Sequence, residues 1–453
     1  MRPLIVVIAF AALLAGCKVG PNYSRPKVLA PPQYRGAQTP PTEPSFGDAK
    51  WFDVFQDEQL RALIDETLKA NYDIRIAAQR VLQAEGQLAA TRSSLFPQFG
   101  ARATAGRDGV SSPVTSSAGA FGAAFWELDL FGKLRRATEA ARADMLALEE
   151  SQKAVMQVLV SEVAIGYFDL IEYDAEIQFV KTSIATREES LKLVISREQG
   201  GVGSLMDVDQ ARTLVASAQS SLALLEKAQE QTENLISFLA GRTPGPITRG
   251  RALTQQPVPP EIPAGLPSTL LDRRPDIRSA EQNLIAANAR VGVAKAAFFP
   301  SITLTALGGF QSADLLGVVQ RSGFAYSLGG AVDLPIFDAG RRSGNYNTAK
   351  AQNQELLIAY QRSIYGAFQE VSDALIGYQK SKEYTVSQTL LAETLRHQSQ
   401  IANQRYLGGV SSYLEVLDTE RQRLTAEQEL AQAQRDVLTN VVQVYRALGG
   451  GWQ

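Results

Sequence analysis

The chain has 453 residues, 45 basic against 47 acidic and 45% apolar, enough for more than one ordinary core and without the basic excess of a nucleic-acid partner. A single histidine (His397) and a single cysteine (Cys17) exclude zinc clusters, a disulfide framework and cysteine–histidine catalysis. His397 lies in the polar helical stretch Leu395-Arg396-His397-Gln398-Ser399, where a solvated helix face accounts for it, so no catalytic, cofactor or metal site is expected.

At the N-terminus, Arg2 precedes an apolar run, Leu4 to Leu14, that is too short to span a bilayer as a helix. It ends in Leu14-Ala15-Gly16-Cys17, the order of a bacterial lipobox. Residues 1–16 are therefore predicted to be a lipoprotein signal peptide and Cys17 the lipidated first residue of the mature chain. Several acyl chains, at about 0.8 kcal/mol per buried methylene, anchor stably where one does not. Lys18, in place of an aspartate, resembles bacterial lipoproteins of the outer membrane. Residues 17–50 carry Pro21, Pro26, Pro31-Pro32 and Pro40-Pro41 and read as an extended arm.

Beyond the arm the sequence is written twice, over 51–243 and 268–453, joined by a proline-rich linker at 244–267. Asp73-Ile74-Arg75 leading to Phe96-Pro97 returns as Asp276-Ile277-Arg278 leading to Phe299-Pro300, at a constant offset of 203 residues. Further pairs are Phe131 with Phe337, Glu162-Val163 with Glu370-Val371, and Gly201-Val202 with Gly409-Val410. Such a period is too long for a solenoid repeat and indicates two domain-sized copies. Each copy begins with helices, near 59–95 and 268–297. Two strand-like segments follow, at about 95–107 and 118–131 in the first copy and about 298–311 and 323–337 in the second. Next comes a long proline-free helical stretch, Lys133 to Gln199 or Arg341 to Leu407, then a glycine-rich turn and a closing helix.

In the first long stretch Met145, Leu148, Val155, Leu159, Val163, Gly166 and Leu170 form a helical stripe. Roughly 67 residues at 1.5 Å each make a rod about 100 Å long. Charged and amide side chains along it argue against a transmembrane helix and for a coiled-coil-like bundle. The strand segments alternate instead: in Phe324 to Leu334 bulky apolar residues take every second place. This pattern fits a transmembrane barrel strand or a half-buried strand of a soluble sheet. The export signal, and polar loops at about 108–117 and 312–322, favour the barrel, with Phe121 and Phe125 on the lumen face. Four strands cannot close a barrel, and open edges do not survive in lipid. Two chains would give eight strands and a filled interior, three chains twelve and room for a water-filled passage.

Several runs carry a closer resemblance: Cys17-Lys18-Val19-Gly20-Pro21-Asn22-Tyr23, Trp51-Phe52-Asp53-Val54-Phe55, Gly265-Leu266-Pro267-Ser268, Arg273-Arg274-Pro275-Asp276-Ile277-Arg278 and Ala296-Ala297-Phe298-Phe299-Pro300-Ser301. The chain resembles the outer-membrane efflux proteins of the TolC/OprM type, in the lipoprotein branch serving resistance-nodulation-division pumps. The resemblance implies a mainly α chain with a transmembrane β-barrel portion, assembled as a homotrimer with a twelve-stranded barrel and an α-helical tunnel. It also implies an outer-membrane location and passive export of drugs or other small molecules. The partners would be a periplasmic adaptor protein and an inner-membrane transporter. The glycine-rich tips, Gly201, Val202, Gly203 and Ser204 with Gly409, Val410 and Ser411, would dock the adaptor, although helix C-caps alone would also explain their glycines. Leu414, Glu415 and Asp418 would line a periplasmic constriction. Glu415 and Asp418 share one side of a helix, so threefold symmetry would turn them into carboxylate rings. The plainer account is solvated acids near a helix start. The first copy has Met206, Asp207 and Gln210 at these places, so the two hairpins are not interchangeable. The alternative function is a non-conducting coiled-coil lipoprotein that bridges the envelope; a periplasmic hydrolase lacks the residues for its chemistry.

Overall fold

The computed structural model describes residues 18–40, 44–109, 115–259, 261–313, 318 and 323–452. Cys17 and parts of both loops expected at 108–117 and 312–322 lie outside the described residues. Helices α1 (Glu58–Ala70) and α2 (Tyr72–Ser93) lead to strands β1 (Gln98–Asp108) and β2 (Thr115–Leu128). Helix α3 (Lys133–Gln199) and helix α4 (Leu205–Leu239) complete the first half. The second half repeats the order with α5 (Pro275–Ala296), β3 (Ser301–Ser312), β4 (Phe324–Asp333), α6 (Arg341–Leu407) and α7 (Tyr413–Ala447). The chain forms two compact units, and each takes residues from both sequence copies.

Among the described residues, the first unit comprises 18–28 and those within 78–150 and 276–363. It contains an antiparallel sheet in the order β1-β2-β3-β4. Strands β1, β3 and β4 start later than the alternation suggested, and β2 starts and ends three residues earlier than 118–131. Leu95 and Phe96 still donate their N–H groups back to Arg92 and Ser93, so this segment closes α2, and β1 begins only after Pro97. At the far end of β2, the Asp129 carboxylate accepts from the N–H groups of Leu134 (3.0 Å) and Arg135 (2.9 Å), which starts α3 and ends the strand at Leu128.

Register sorts the side chains into two faces, because directly paired residues point the same way. Arg102 pairs with Phe121, which pairs with Gly309, which pairs with Ala325. The same face carries Gln98, Thr104, Thr303, Thr305, Gln311 and Ser327. The opposite face carries Phe99, Trp126, Ile302, Leu304, Tyr326 and Leu328. Phe121 and Phe125 therefore stand on the polar face. One face suits water and the other hydrocarbon.

The arm that follows Cys17 is threaded through this unit. Arg136 is fully buried and donates to the carbonyls of Val19 (3.3 Å) and Gly20 (3.2 Å) and to Asn22 Oδ1 (2.8 Å). Its charge is met by Glu139 at 3.0 Å. A Cβ on Gly20 would fall 2.5 Å from the Gly292 Cα, so only glycine lets the arm lie on α5 here. Tyr23 and Arg25 both bond Glu281, at 2.9 and 2.7 Å.

The second unit comprises residues 29–77, 151–275 and 364–453. Its core joins Leu60, Ile64, Val163, Tyr167, Ile236 and Val442 from α1, α3, α4 and α7. An 18-residue window of α3 is apolar enough to cross a membrane by composition (mean hydropathy 1.6), a stretch that the charges elsewhere in the helix mask; 61% of it is buried. The core accounts for this apolar surface. Asp57 fixes the linker to α1: its carboxylate caps Gln59 and Leu60 and also accepts from the Arg251 N–H and the Gln256 side chain, each at 2.9 Å.

Polar contacts then hold α7 to α3. Glu176 accepts from Gln428 (3.2 Å) and Gln432 (2.9 Å), and Arg435 reaches Asp169 (3.5 Å) and Glu172 (3.6 Å). Burial, then the neighbouring Glu176 carboxylate, push Glu172 up from an ordinary 4.5 to about 8, despite Arg435. Between those values the folded chain keeps a proton that the unfolded chain has released, so stability falls as pH rises from about 4.5 to 8. Glu172→Gln mimics the protonated form. It is expected to raise Tm by roughly 2–4 °C at pH 8 and to change it little at pH 5, measured by thermal circular dichroism. Equal effects at both pH values would rule this out.

Candidate functional site: the helix–turn–helix tips

Both long helices end in the same turn. After α3, the Gly201 N–H bonds the Glu198 carbonyl and the Val202 N–H bonds the Arg197 carbonyl, both at 2.9 Å. After α6, the Gly409 N–H bonds Tyr406 (3.0 Å) and the Val410 N–H bonds Arg405 (2.9 Å). These are paired Schellman caps, and Gly201 (φ 73°) and Gly409 (φ 71°) supply the left-handed residue. Gly203 is needed for a different reason: a Cβ there would sit 3.0 Å from the backbone nitrogen of Glu198.

The helices that leave the turns start differently. Ser204 caps α4 by accepting from the Asp207 N–H, and the Asp207 carboxylate accepts from the Ser204 N–H, both at 3.2 Å. Ser412 makes no side-chain cap for α7, and the Ser411 hydroxyl oxygen is buried without a partner. Val202 and Val410, at 71% and 70% exposure, leave an apolar point on each tip.

Beneath the turns, Val194, Val208, Ala211, Tyr406, Tyr413 and Val416 form a small core. The Tyr406 and Tyr413 rings meet edge to face at 5.2 Å. Arg197 lies over the Tyr406 ring, 4.8 Å from its centroid, and the Tyr413 hydroxyl is 3.3 Å from Ser190 Oγ. Burial raises both tyrosines above their ordinary pKa, so they stay neutral hydrogen-bonding groups at physiological pH. Arg187 is buried nearby and donates to the Leu214 carbonyl at 2.9 Å; burial lowers its pKa. Arg187, Ser190, Tyr413 and Glu420 are among the residues lining a cavity of about 200 Å³.

The expected constriction residues separate into two settings. Leu414 and Asp418, one helical turn apart on α7, are both exposed. Glu415 turns toward α6 and pairs with Arg405 at 3.0 Å. Asp418 accepts from Gln422 (2.6 Å) and stands 3.9 Å from Arg421, both on its own helix. Further along, Arg423 bridges Glu420 (2.9 Å) and Glu427 (3.2 Å), while Arg396 of α6 reaches Glu427 at 3.0 Å.

Sequence reading missed the tyrosine pair and the arginines around it. The signal was present in the comparison of the copies. At the tip offset of 208, Tyr406 matches Glu198 and Tyr413 matches Leu205, while Arg405 matches Arg197.

Residues 63–242 and 266–450 match the outer membrane efflux protein family. The chain belongs to the outer membrane efflux protein family. It is 35% identical to the solvent efflux pump outer membrane protein SrpC of Pseudomonas putida, over 97% of this chain and 96% of that protein. It is 33% identical to the cation efflux system protein CusC of Escherichia coli (strain K12), over 100% of this chain and 99% of CusC. Its fold matches the open state of the MtrE outer membrane channel of Neisseria gonorrhoeae with a TM-score of 0.88 and 31% identity, covering 96% of this chain and 99% of that one. The protein is thus an efflux channel of the outer membrane, mostly helical with a barrel-forming sheet. The non-conducting, envelope-bridging alternative falls with that result.

The turns themselves can be tested. No atom lies within 4 Å of a Cβ placed on Gly409, so the cost of Gly409→Ala is that of its positive φ alone, about 1 kcal/mol. Gly408→Ala, in the preceding helical position, should cost less than half as much. Chemical denaturation midpoints compare the two, and equal losses would contradict the cap assignment.

Proposed function

We propose that three copies of this chain close a twelve-stranded barrel and a helical tunnel, forming the outer-membrane exit duct of a tripartite efflux pump. The observation that carries this reading is the four-stranded sheet with one polar face, one apolar face and two unpaired edges, β1 and β4. Edge-to-edge joining of three such sheets satisfies the edges and encloses the polar faces. The two family-matched spans support reading the chain as a duplication, 51–243 and 268–453 around the linker 244–267. Three chains with two helical hairpins each then line a pseudo-sixfold tunnel.

Export is passive, and the chain does no chemistry. Energy and cargo choice belong to an inner-membrane transporter, reached through a periplasmic adaptor that docks on the tips at Gly201 to Ser204 and Gly409 to Ser411. The relatives' names point to solvents in one case and cations in another, which suits a duct that does not itself select its cargo. Cys17 carries the lipid, and the seating of Val19 and Gly20 by Arg136 supports an anchor held close to the barrel unit. Leu414 and Asp418 close the periplasmic end, and Glu415 secures the same turn through Arg405.

Two experiments test this reading. Leu414→Ala combined with Asp418→Ala is expected to raise single-channel conductance in planar bilayers severalfold; unchanged conductance would sink the gate assignment. Cys17→Ser is expected to abolish labelling by radioactive palmitate, and a labelled variant would refute the lipid attachment.

A further inference from the structure

The polar face of the sheet carries one unmatched cation. Arg102 sits in the middle of β1 with its side chain exposed, and it has no ion pair or hydrogen bond among the described residues. Its row across the sheet is otherwise short: Phe121, Gly309 and Ala325. Phe121 is bulky but lies down against the wall. A Cβ on Gly119 would fall 2.6 Å from the Phe121 ring, and one on Gly309 would fall 2.8 Å from it. The ring therefore fills the space that the two glycines leave open. Arg102 is left as the side chain that reaches furthest from the wall at this level.

Counter-charge on this face is distant: Asp108, on the strand of Arg102 itself, stands six positions away, about 20 Å. Asp333 stands eight positions from Ala325 on β4, about 26 Å along the strand at 3.3 Å per residue. Glu127 stands six positions from Phe121, about 20 Å, and its carboxylate is already held by Lys133 at 3.1 Å. All of these separations are at least twice the screening length of about 8 Å at physiological ionic strength. None of these residues neutralises the guanidinium at its own level.

We propose that Arg102 is a charge-selecting residue of the exit path, favouring anionic over cationic solutes within the barrel. The inference rests on the trimeric barrel reading, in which three guanidinium groups stand at one level around a lumen. A ring of like charge in a narrow, low-dielectric wall raises the local concentration of counter-ions and repels co-ions. The sign is opposite to that of the acidic residues at the periplasmic tips.

The test is the chloride-to-potassium permeability ratio, from reversal potentials in a salt gradient across planar bilayers. It is measured in the unaltered chain and again with Leu414→Ala and Asp418→Ala, so that the periplasmic end does not set the ratio. Arg102→Gln is expected to lower the ratio at least twofold, Arg102→Glu to lower it further, and Arg102→Lys to retain it. Arg107→Glu, on the opposite face of the same strand, should leave it unchanged. Arg102→Cys treated with a cationic thiosulfonate should recover the original ratio, which a purely structural role would not produce. Normal conductance with an unchanged ratio in Arg102→Glu overturns this inference and leaves the barrel standing. Absence of conductance from the chain carrying Leu414→Ala and Asp418→Ala, or a shift caused by Arg107→Glu instead, overturns the barrel reading and this one with it.

Discussion

Within hydrocarbon every backbone N–H and C=O needs a partner, and each unsatisfied group costs several kcal/mol. In this chain β2 and β3 are paired on both sides, but β1 and β4 are paired on one side only. No side chain can satisfy two free edges of this length; other strands must. Assembly is thus a condition for entering the membrane and not a refinement after it. The same constraint makes register strict, because a slip of one residue would exchange the faces. It would bring Trp126 and Leu304 to the water side and Thr303 and Thr305 to lipid. Gly309 helps prevent such a slip. A Cβ there would fall 2.1 Å from the Ala120 carbonyl, so another residue at this point would push the strands apart.

The duplication solves a geometric problem and then departs from itself where sameness would be a handicap. Both copies use the same glycine-centred reversal, with matching hydrogen bonds and nearly equal φ angles. The side chains hung on that frame have diverged. Arg405 stays within its own hairpin and pairs with Glu415, whereas its counterpart Arg197 reaches across to the ring of Tyr406. Tyr406 and Tyr413 have no aromatic counterparts in the first copy, where Glu198 and Leu205 stand. One hairpin thus supplies the surface and the other the groups that grip it.

The long helices were readable because nothing interrupts them. Absence of proline over Lys133 to Gln199 and Arg341 to Leu407 gave their limits, and the glycines flanking them mark where the backbone leaves the helix. The faces of the strands were readable from alternation, even for Phe121 and Phe125. Strand ends were less so. Alternation continues through Phe96 and past Leu128, but hydrogen bonds from the preceding turn and the capping carboxylate of Asp129 decide where pairing stops. The tips were legible as turns but not as a packed site. Tyr406, Tyr413, Arg187 and Ser190 come from separate helices, and no local pattern announces that they meet. The raised pKa of Glu172 was hidden for the same reason: Glu172 and its neighbour Glu176 look like an ordinary charged helix face until Gln428, Gln432 and Arg435 are set against them.

Helix α7 shows why its beginning, and not its end, is suited to move. Its C-terminal half buries Val437, Leu438, Val441, Val442 and Tyr445, and each such side chain is worth about 1.5–3 kcal/mol. Toward the tip the contacts change character: Arg405 with Glu415, Arg396 with Glu427, and the paired tyrosines. Arg405 and Glu415 are both about half exposed, and a pair of that kind contributes about 0–1 kcal/mol, because water or another protein can replace the partner. The small core beneath the turns adds only a few apolar side chains. Holding energy therefore falls along α7 toward its N-terminus. A docking protein that offers its own carboxylates and apolar surface to Arg405 and Val410 can exchange contacts there at little net cost. The far half of the helix would resist the same displacement by several times as much.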